Sequence, residues 1–155
     1  MQIELLQKSV RQPLLFNQVQ LSLEQSQLID QALYMNNKTT ELSLSRDGGL
    51  LDYCRLHDIT IQAWSPLQHG FFQGVFIDNA DFPELNSALA EIADAHHVTK
   101  TAAAIAWILR HPARMQVLAG TMNPTHLKEI CDACTFTLTR EEWYRLYLAS
   151  GKFLP

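Results

Sequence analysis

What this chain has little of narrows it first. Its 155 residues include three cysteines, Cys54, Cys131 and Cys134, and a small odd count offers no disulfide framework. Cys131-x-x-Cys134 has the spacing of a shared metal or a redox couple, but no second cysteine pair and no histidine at zinc-finger spacing follows it. The pair lies at the far end of a helical stretch, so both thiols are expected to be small core-facing residues and no metal site is nominated. No apolar run reaches the roughly 18 residues that a membrane helix needs, so no span is read. Residues 1 to 10 interleave polar with apolar side chains and lack a small-residue cleavage site; no signal peptide is read there, and the cytoplasm is the default location. The net charge is −4 without a basic stripe, which argues against nucleic acid as a partner. The glycines do not form a Gly-x-Gly-x-x-Gly run, so an independent dinucleotide-binding domain lacks its fingerprint.

What remains is 47% hydrophobic, ordinary for one globular domain over residues 1–155. Ile3, Leu5, Leu6 and Val10 share a helix face that Pro13 ends, and the helix has no opening cap, as if it were the tail of something larger. Leu14 to Leu23 alternates as a strand; its amides Asn17 and Gln18 either bond neighbouring backbone or face a ligand. Residues 24–46 read as a connection with one short helix near Ser26 to Tyr34, either a cover for a site or a plain link. After Asp47-Gly48-Gly49, residues 50–57 read as a helix burying Leu50, Leu51, Cys54 and Leu56, broken by Asp58. Ile59 to Trp64 is a strand, and the aromatics Phe71, Phe72, Phe76 and Phe82 beyond it suggest a lid or a packing edge.

Glu84 to His97 reads as a helix whose terminal histidines suit its negative pole better than a metal. Thr99 can cap a second helix, apolar nearly all round from Ala102 to Leu109 and therefore sandwiched by other elements. A buried strand, Met115 to Ala119, turns at Gly120-Thr121 into a helix with Asn123 as N-cap and Pro124 at its first position. That helix start is either an anion site, with free N–H groups above the strand, or ordinary punctuation. Thr139-x-x-Glu142 is a capping box, opening a helix that buries Trp143, Leu146 and Tyr147 before Gly151. Strands alternating with helices mean right-handed βαβ units and a parallel sheet, with ligands at the strands' C-terminal ends. Three strands cannot close a barrel.

Residues 50–67, ending Ile59-Thr-Ile-Gln-Ala-Trp-Ser-Pro-Leu67, the helix ending Trp107-Ile-Leu-Arg-His-Pro112, and Ala119-Gly-Thr-Met-Asn-Pro124 together resemble the C-terminal part of an aldo-keto reductase. The ending Leu138-Thr-Arg-Glu-Glu-Trp-Tyr-Arg-Leu146 is similar to the YdhF-like bacterial branch of NADPH-dependent reductases. The resemblance covers nearly the whole chain. It implies an α/β fold, the C-terminal portion of a TIM (β/α)8 barrel carrying strands six to eight with their helices, incomplete on its own.

The resemblance also implies hydride transfer between a nicotinamide and a small carbonyl substrate, the cofactor being NADP(H), with NAD(H) as the alternative. By that likeness Gln18 bonds the nicotinamide carboxamide, and Trp64 stacks on the ring where the family usually has Tyr. Ser65, Pro66 and Leu67 line the pyrophosphate; Gly120, Thr121, Met122 and Asn123 hold the adenosine 2′-phosphate; Glu129 lies near the adenine. Two residues depart from the pattern, His126 where an Arg commonly clamps the phosphate and Gly120 where many members carry Lys. An imidazole neither forks to phosphate nor keeps its charge above neutral pH, so weak discrimination of NADPH from NADH is expected. The family's acid and its Asp, Lys and His companions come from strands two to four, so no catalytic residue is assigned. The rival expectation is a non-catalytic interaction module that completes its sheet or barrel with another chain, by self-association through an open sheet edge.

Overall fold

The computed structural model describes residues 2–34, 49–71 and 73–154. Residues 35–46 of the connection read over 24–46, Asp47 and Gly48 ahead of the next helix, and the aromatic Phe72 lie outside them. The described residues form the helices α1 (Gln2–Gln7), α2 (Gln27–Leu33), α3 (Leu50–Leu56), α4 (Pro83–His96), α5 (Lys100–Leu109), α6 (Pro124–Asp132) and α7 (Arg140–Ala149). Three strands, β1 (Phe16–Gln20), β2 (Thr60–Trp64) and β3 (Met115–Val117), make one sheet in that order. Both pairings are parallel, with Gln18 opposite Gln62 and Gln62 opposite Gln116. Each crossover carries helical segments, the connection that parallel strands require.

Alternation along the strands decides which face is covered. Ile61 and Ala63 are buried, and Val19, Met115 and Val117 pack with them against the helices. Residues of the opposite parity point away from that core, and Phe16, Gln18 and Gln116 are exposed. On this open face Gln18 donates to Gln62 (3.1 Å) and Gln62 to Gln116 (3.1 Å), a ladder of amides across all three strands. Of the two amides left open by the sequence, Gln18 joins this ladder, and Asn17, on the covered face opposite Ile61, donates to Cys54 Sγ (3.9 Å). A parallel sheet is ordinarily buried on both faces; here the described residues cover one.

On the covered face, α5 is the pivot. Every residue from Ala102 to Ile108 is buried, because small alanines let neighbouring helices approach while Ile105, Trp107 and Ile108 fill the gaps between them. Trp107 and Trp143 stack with centroids 4.9 Å apart, and each indole N–H donates to the other's backbone carbonyl, at 3.1 and 2.9 Å. Leu85, Leu89 and Ile92 of α4 complete the layer, each worth about 1.5–3 kcal/mol of burial. The caps stand as read: Thr99 accepts from Ala102 N (3.2 Å), and Thr139 and Glu142 make both bonds of the capping box. Glu142 also meets His96 at 2.8 Å, tying the end of α4 to the start of α7.

Several expectations are corrected. The opening helix stops at Gln7, not near Pro13, because the Gln7 side chain folds back to donate to Val10 O and Gln12 O and to accept from Leu14 N. Its stripe is not buried: Leu5 and Leu6 are 69% and 53% exposed, and only Ile3 reaches a core cluster. Leu56 is exposed as well, since Leu51 and Cys54 already occupy the inward side of α3. The third strand is short, and Gln116 is exposed, as befits a strand with β2 as its partner in the sheet. Cys131 and Cys134 are exposed rather than core-facing.

Candidate functional site

The strands' C-terminal ends collect most of the nominated residues. Leu21 N donates to Trp64 O (3.4 Å) and Leu118 N to Ala63 O (3.0 Å), so both ladders run one residue past the strands and all three exits share an edge. Trp64 ends β2 on the open-face parity, opposite Gln20, and meets the Phe71 ring edge-on at 6.0 Å. Gln18 lies two residues nearer the middle of β1 on the same parity, its amide in the ladder.

The turn after β2 is tightly built. Ser65 has φ +50, a left-handed conformation that costs a non-glycine residue about 1–2 kcal/mol. Pro66 is buried behind it, and Gln68 N donates to Ser65 O at 3.1 Å. Three side chains from the end of β1 and the segment beyond then hold three successive carbonyls. Ser22 Oγ donates to Gln68 O (2.7 Å), Gln25 Nε2 to His69 O (3.0 Å) and Gln20 Nε2 to Gly70 O (3.1 Å). Nothing in the sequence spacing marks Gln20, Ser22 and Gln25 as this clamp.

At the exit from β3, Gly120 has φ +62, and a Cβ there would meet nothing nearer than Leu118 O at 3.9 Å. The glycine is required by conformation, not by space. Asn123 N donates to Thr121 Oγ1 (3.1 Å), and Asn123 Oδ1 accepts from Thr125 N (2.9 Å), which sets the helix start. Met122, Asn123 and His126 are exposed and Glu129 is half-buried. The turn offers a hydroxyl, an amide and a helix N-terminus to an anion. Residues 118–127 contain no Lys or Arg.

A buried polar cluster stands behind β1's exit. Asp30 is 2% exposed and accepts from Ser26 Oγ and Tyr147 OH, both at 2.8 Å. Tyr34 and Tyr147 hydroxyls are 3.2 Å apart, and Phe153 stacks on Tyr34 with centroids at 4.5 Å. Lys152 donates to Leu23 O and to Ser150 Oγ, and its ammonium lies 5.7 Å from the Tyr147 ring centre. Burial lowers the Lys152 pKa, and the Asp30 and Glu24 charges oppose that. Burial raises Glu24's, with Lys152 and then His69 opposing. Tyr147 is pushed up, by burial first and then by its bond to Tyr34 and the Asp30 charge. Residues 117 apart join here, beyond the reach of any local pattern.

A separate cavity of about 430 Å³ is lined by Leu51, Arg55, Arg110, His111, Arg140 and Trp143 among others, and by none of the nominated residues. Among the described residues no cluster of three or more metal-ligating side chains occurs, and no helix is long and apolar enough to cross a membrane.

A parallel sheet with helices on one face, its strand exits gathered at one edge, is the architecture of a (β/α) barrel segment. The model of the aldo/keto reductase family matches residues 13–148, and the chain belongs to that family. The 6-dehydroglucose reductase of Agrobacterium fabrum is 38% identical over 106 residues, which are 67% of this chain and 34% of that protein. In structure, the thermostable aldo-keto reductase Tm1743, solved with the inhibitor epalrestat, aligns with TM-score 0.63 at 21% identity, over 94% of this chain and 43% of its own. A mutant of Gox0644 solved with NADPH aligns with TM-score 0.59 at 17% identity, over 95% of this chain and 42% of its own. The chain thus spans about a third of that curated relative and less than half of each of those structures, and its open three-stranded sheet matches part of their barrel.

Proposed function

We propose that residues 1–155 are one partial aldo-keto reductase domain, strands six to eight of the barrel with their helices. It carries part of the cofactor site of an NADP(H)-dependent oxidoreductase acting on small aldehydes or ketones, of the YdhF-like branch. The supporting observation is the shared edge: the Trp64-Ser65-Pro66-Leu67 turn and the Gly120–Asn123 turn leave adjacent strands joined by the bond from Leu118 N to Ala63 O. Trp64 and Gln18 would hold the nicotinamide, Ser65, Pro66 and Leu67 the pyrophosphate, and Gly120, Thr121, Met122, Asn123 and His126 the adenosine phosphate, with Glu129 at the adenine. The nicotinamide, when bound, supplies or accepts the hydride. The chain's part is orientation: the left-handed Ser65 and the clamp from Gln20, Ser22 and Gln25 fix one turn, and Asn123 fixes the other. No residue here is assigned the proton-donating role.

The adenosine end fits an anion through its helix start but lacks a guanidinium, so NADPH and NADH are to be titrated against the chain by quenching of tryptophan fluorescence. The native chain is expected to bind both with similar affinity, and His126→Arg to favour NADPH by roughly tenfold, as one added charge-assisted bond allows. An unchanged preference in His126→Arg refutes the assignment of His126; absence of binding to either nucleotide refutes the site.

The open face, with Phe16 52% exposed, favours a second reading, a module that completes its sheet or barrel with another chain. Sedimentation decides it: a monodisperse oligomer supports the module and a monomer removes it.

A further inference from the structure

Cys131 and Cys134 are both exposed, whereas Cys54 is buried. The way α6 ends explains why. Ala133 N donates to Ile130 O (3.3 Å), Cys134 N to Cys131 O (3.0 Å) and Thr135 N to Asp132 O (3.0 Å), three successive bonds of the i to i+3 kind. They tighten the helix end into a 3₁₀ turn, in which side chains three apart eclipse. Had the α-helical period continued, Cys134 would lie nearly over Ile130 on the inner side. In the tighter turn Ala133 takes that place, 2% exposed beside the partly buried Ile130. Cys134 then falls in line with Cys131 on the solvent side.

Three rises of about 2 Å put the two Cα atoms about 6 Å apart, within the range that a disulfide spans. The 3₁₀ eclipse also sets both Cβ atoms on the solvent side; side by side they stay about 6 Å apart, so closing the bond draws this last turn in until they stand about 4 Å apart. Metal capture is not supported, since no third ligand joins the pair among the described residues.

We propose that Cys131 and Cys134 form a reversible intrachain disulfide by exchange with a small-molecule disulfide of the glutathione type. One cysteine thiolate attacks a sulfur of oxidised glutathione; that S–S bond breaks, a mixed disulfide forms, and one glutathione thiolate leaves and takes up a proton. The second cysteine then attacks the protein sulfur of the mixed disulfide, closes the 131–134 bond and releases the second glutathione. The protein dithiol loses two electrons and two protons, and oxidised glutathione gains them as two thiols. Thiol oxidoreductases place such a pair at the start of a helix; this pair closes the end of one, and so it is oxidised and reduced by others rather than catalysing exchange. The bond would pin the last turn of the helix that begins at the Asn123 cap. The geometry stands whether or not that cap holds a nucleotide.

The test treats the whole chain with oxidised glutathione, blocks remaining thiols with iodoacetamide under denaturing conditions and digests with trypsin. The peptide from Glu129 to Arg140 carries both cysteines and is expected to be lighter by two hydrogens and unalkylated. Alkylatable thiols in the denatured protein fall from three to one, Cys54. Cys131→Ser and Cys134→Ser are each expected to stop at a mixed disulfide carrying one glutathione on the remaining thiol of the pair. The proposal is overturned by a peptide alkylated at both cysteines, by a peptide carrying two glutathiones, by a bond between two chains, or by single variants that take up no glutathione.

Discussion

Acid should loosen this fold through one histidine. His111 sits in the short link between α5 and β3, where Ala113 N donates to its Nδ1 at 3.1 Å. That bond requires an unprotonated Nδ1. Burial, and secondly the charge of Arg55, lower the His111 pKa from 6.5 to about 4. The unfolded chain therefore binds the proton first as pH falls. The histidine's contribution is complete above about 6.5, declines as pH drops below that value, and is exhausted near 4. The whole interval is worth about 3 kcal/mol at 1.36 kcal/mol per pH unit. Since the ring is only partly withdrawn from water, about half of that, roughly 1.5 kcal/mol, is the working figure. Urea unfolding at pH 7.5, 5.5 and 4.5 measures it, with His111→Asn as the reference because the Asn Oδ1 offers an acceptor near the Nδ1 position and does not titrate. Carboxylates shift both proteins alike. The native chain should lose about 1.5 kcal/mol more than the variant over the interval; equal losses would refute the reasoning.

Other substitutions probe the remaining joints. Tyr147→Phe keeps the ring but leaves buried Asp30 without one of its donors, and a loss of about 1–3 kcal/mol is expected in chemical unfolding; an unshifted midpoint would show the cluster to be incidental. Trp143→Phe removes the indole donor from Trp107 O, with a similar expected cost of about 1–3 kcal/mol and a lowered melting temperature. Thr139→Ala opens the capping box and should cost about 1 kcal/mol, read by thermal denaturation, while Thr139→Ser should restore most of it.

What could be read from the chain beforehand follows the range of the interaction involved. The caps at Thr99, Asn123 and Thr139 and the all-round apolar run of α5 are local facts, and the structure keeps them. Strand centres were legible by alternation, but strand ends were not, because β3 extends only as far as β2 pairs with it. Leu5 and Leu6 have the spacing of a buried face without an element to bury it. The exposure of Cys131 and Cys134 escapes the sequence pattern because the helical period does not continue through the end of α6, where the turn tightens to 3₁₀. The bond from Tyr147 to Asp30 and the clamp on the carbonyls of residues 68–70 join groups 44 to 117 positions apart, and no periodicity encodes them. The nominated cofactor residues rest on family likeness, because they come from three separate segments that no local pattern joins.

The glutamine ladder on the open face has a sense of direction. Each step donates from the lower-numbered strand to the higher, Gln18 to Gln62 and Gln62 to Gln116. The row therefore ends in an amide oxygen over β1 and an amide N–H group over β3. A strand arriving beside β3 is best received if it brings an acceptor at the level of Gln116, and one arriving beside β1 if it brings a donor at the level of Gln18. An aliphatic side chain that sealed either end from water would strand a polar group at about 1–3 kcal/mol. The two edges of this small sheet are thus chemically unequal, and a neighbour matched to one is mismatched to the other.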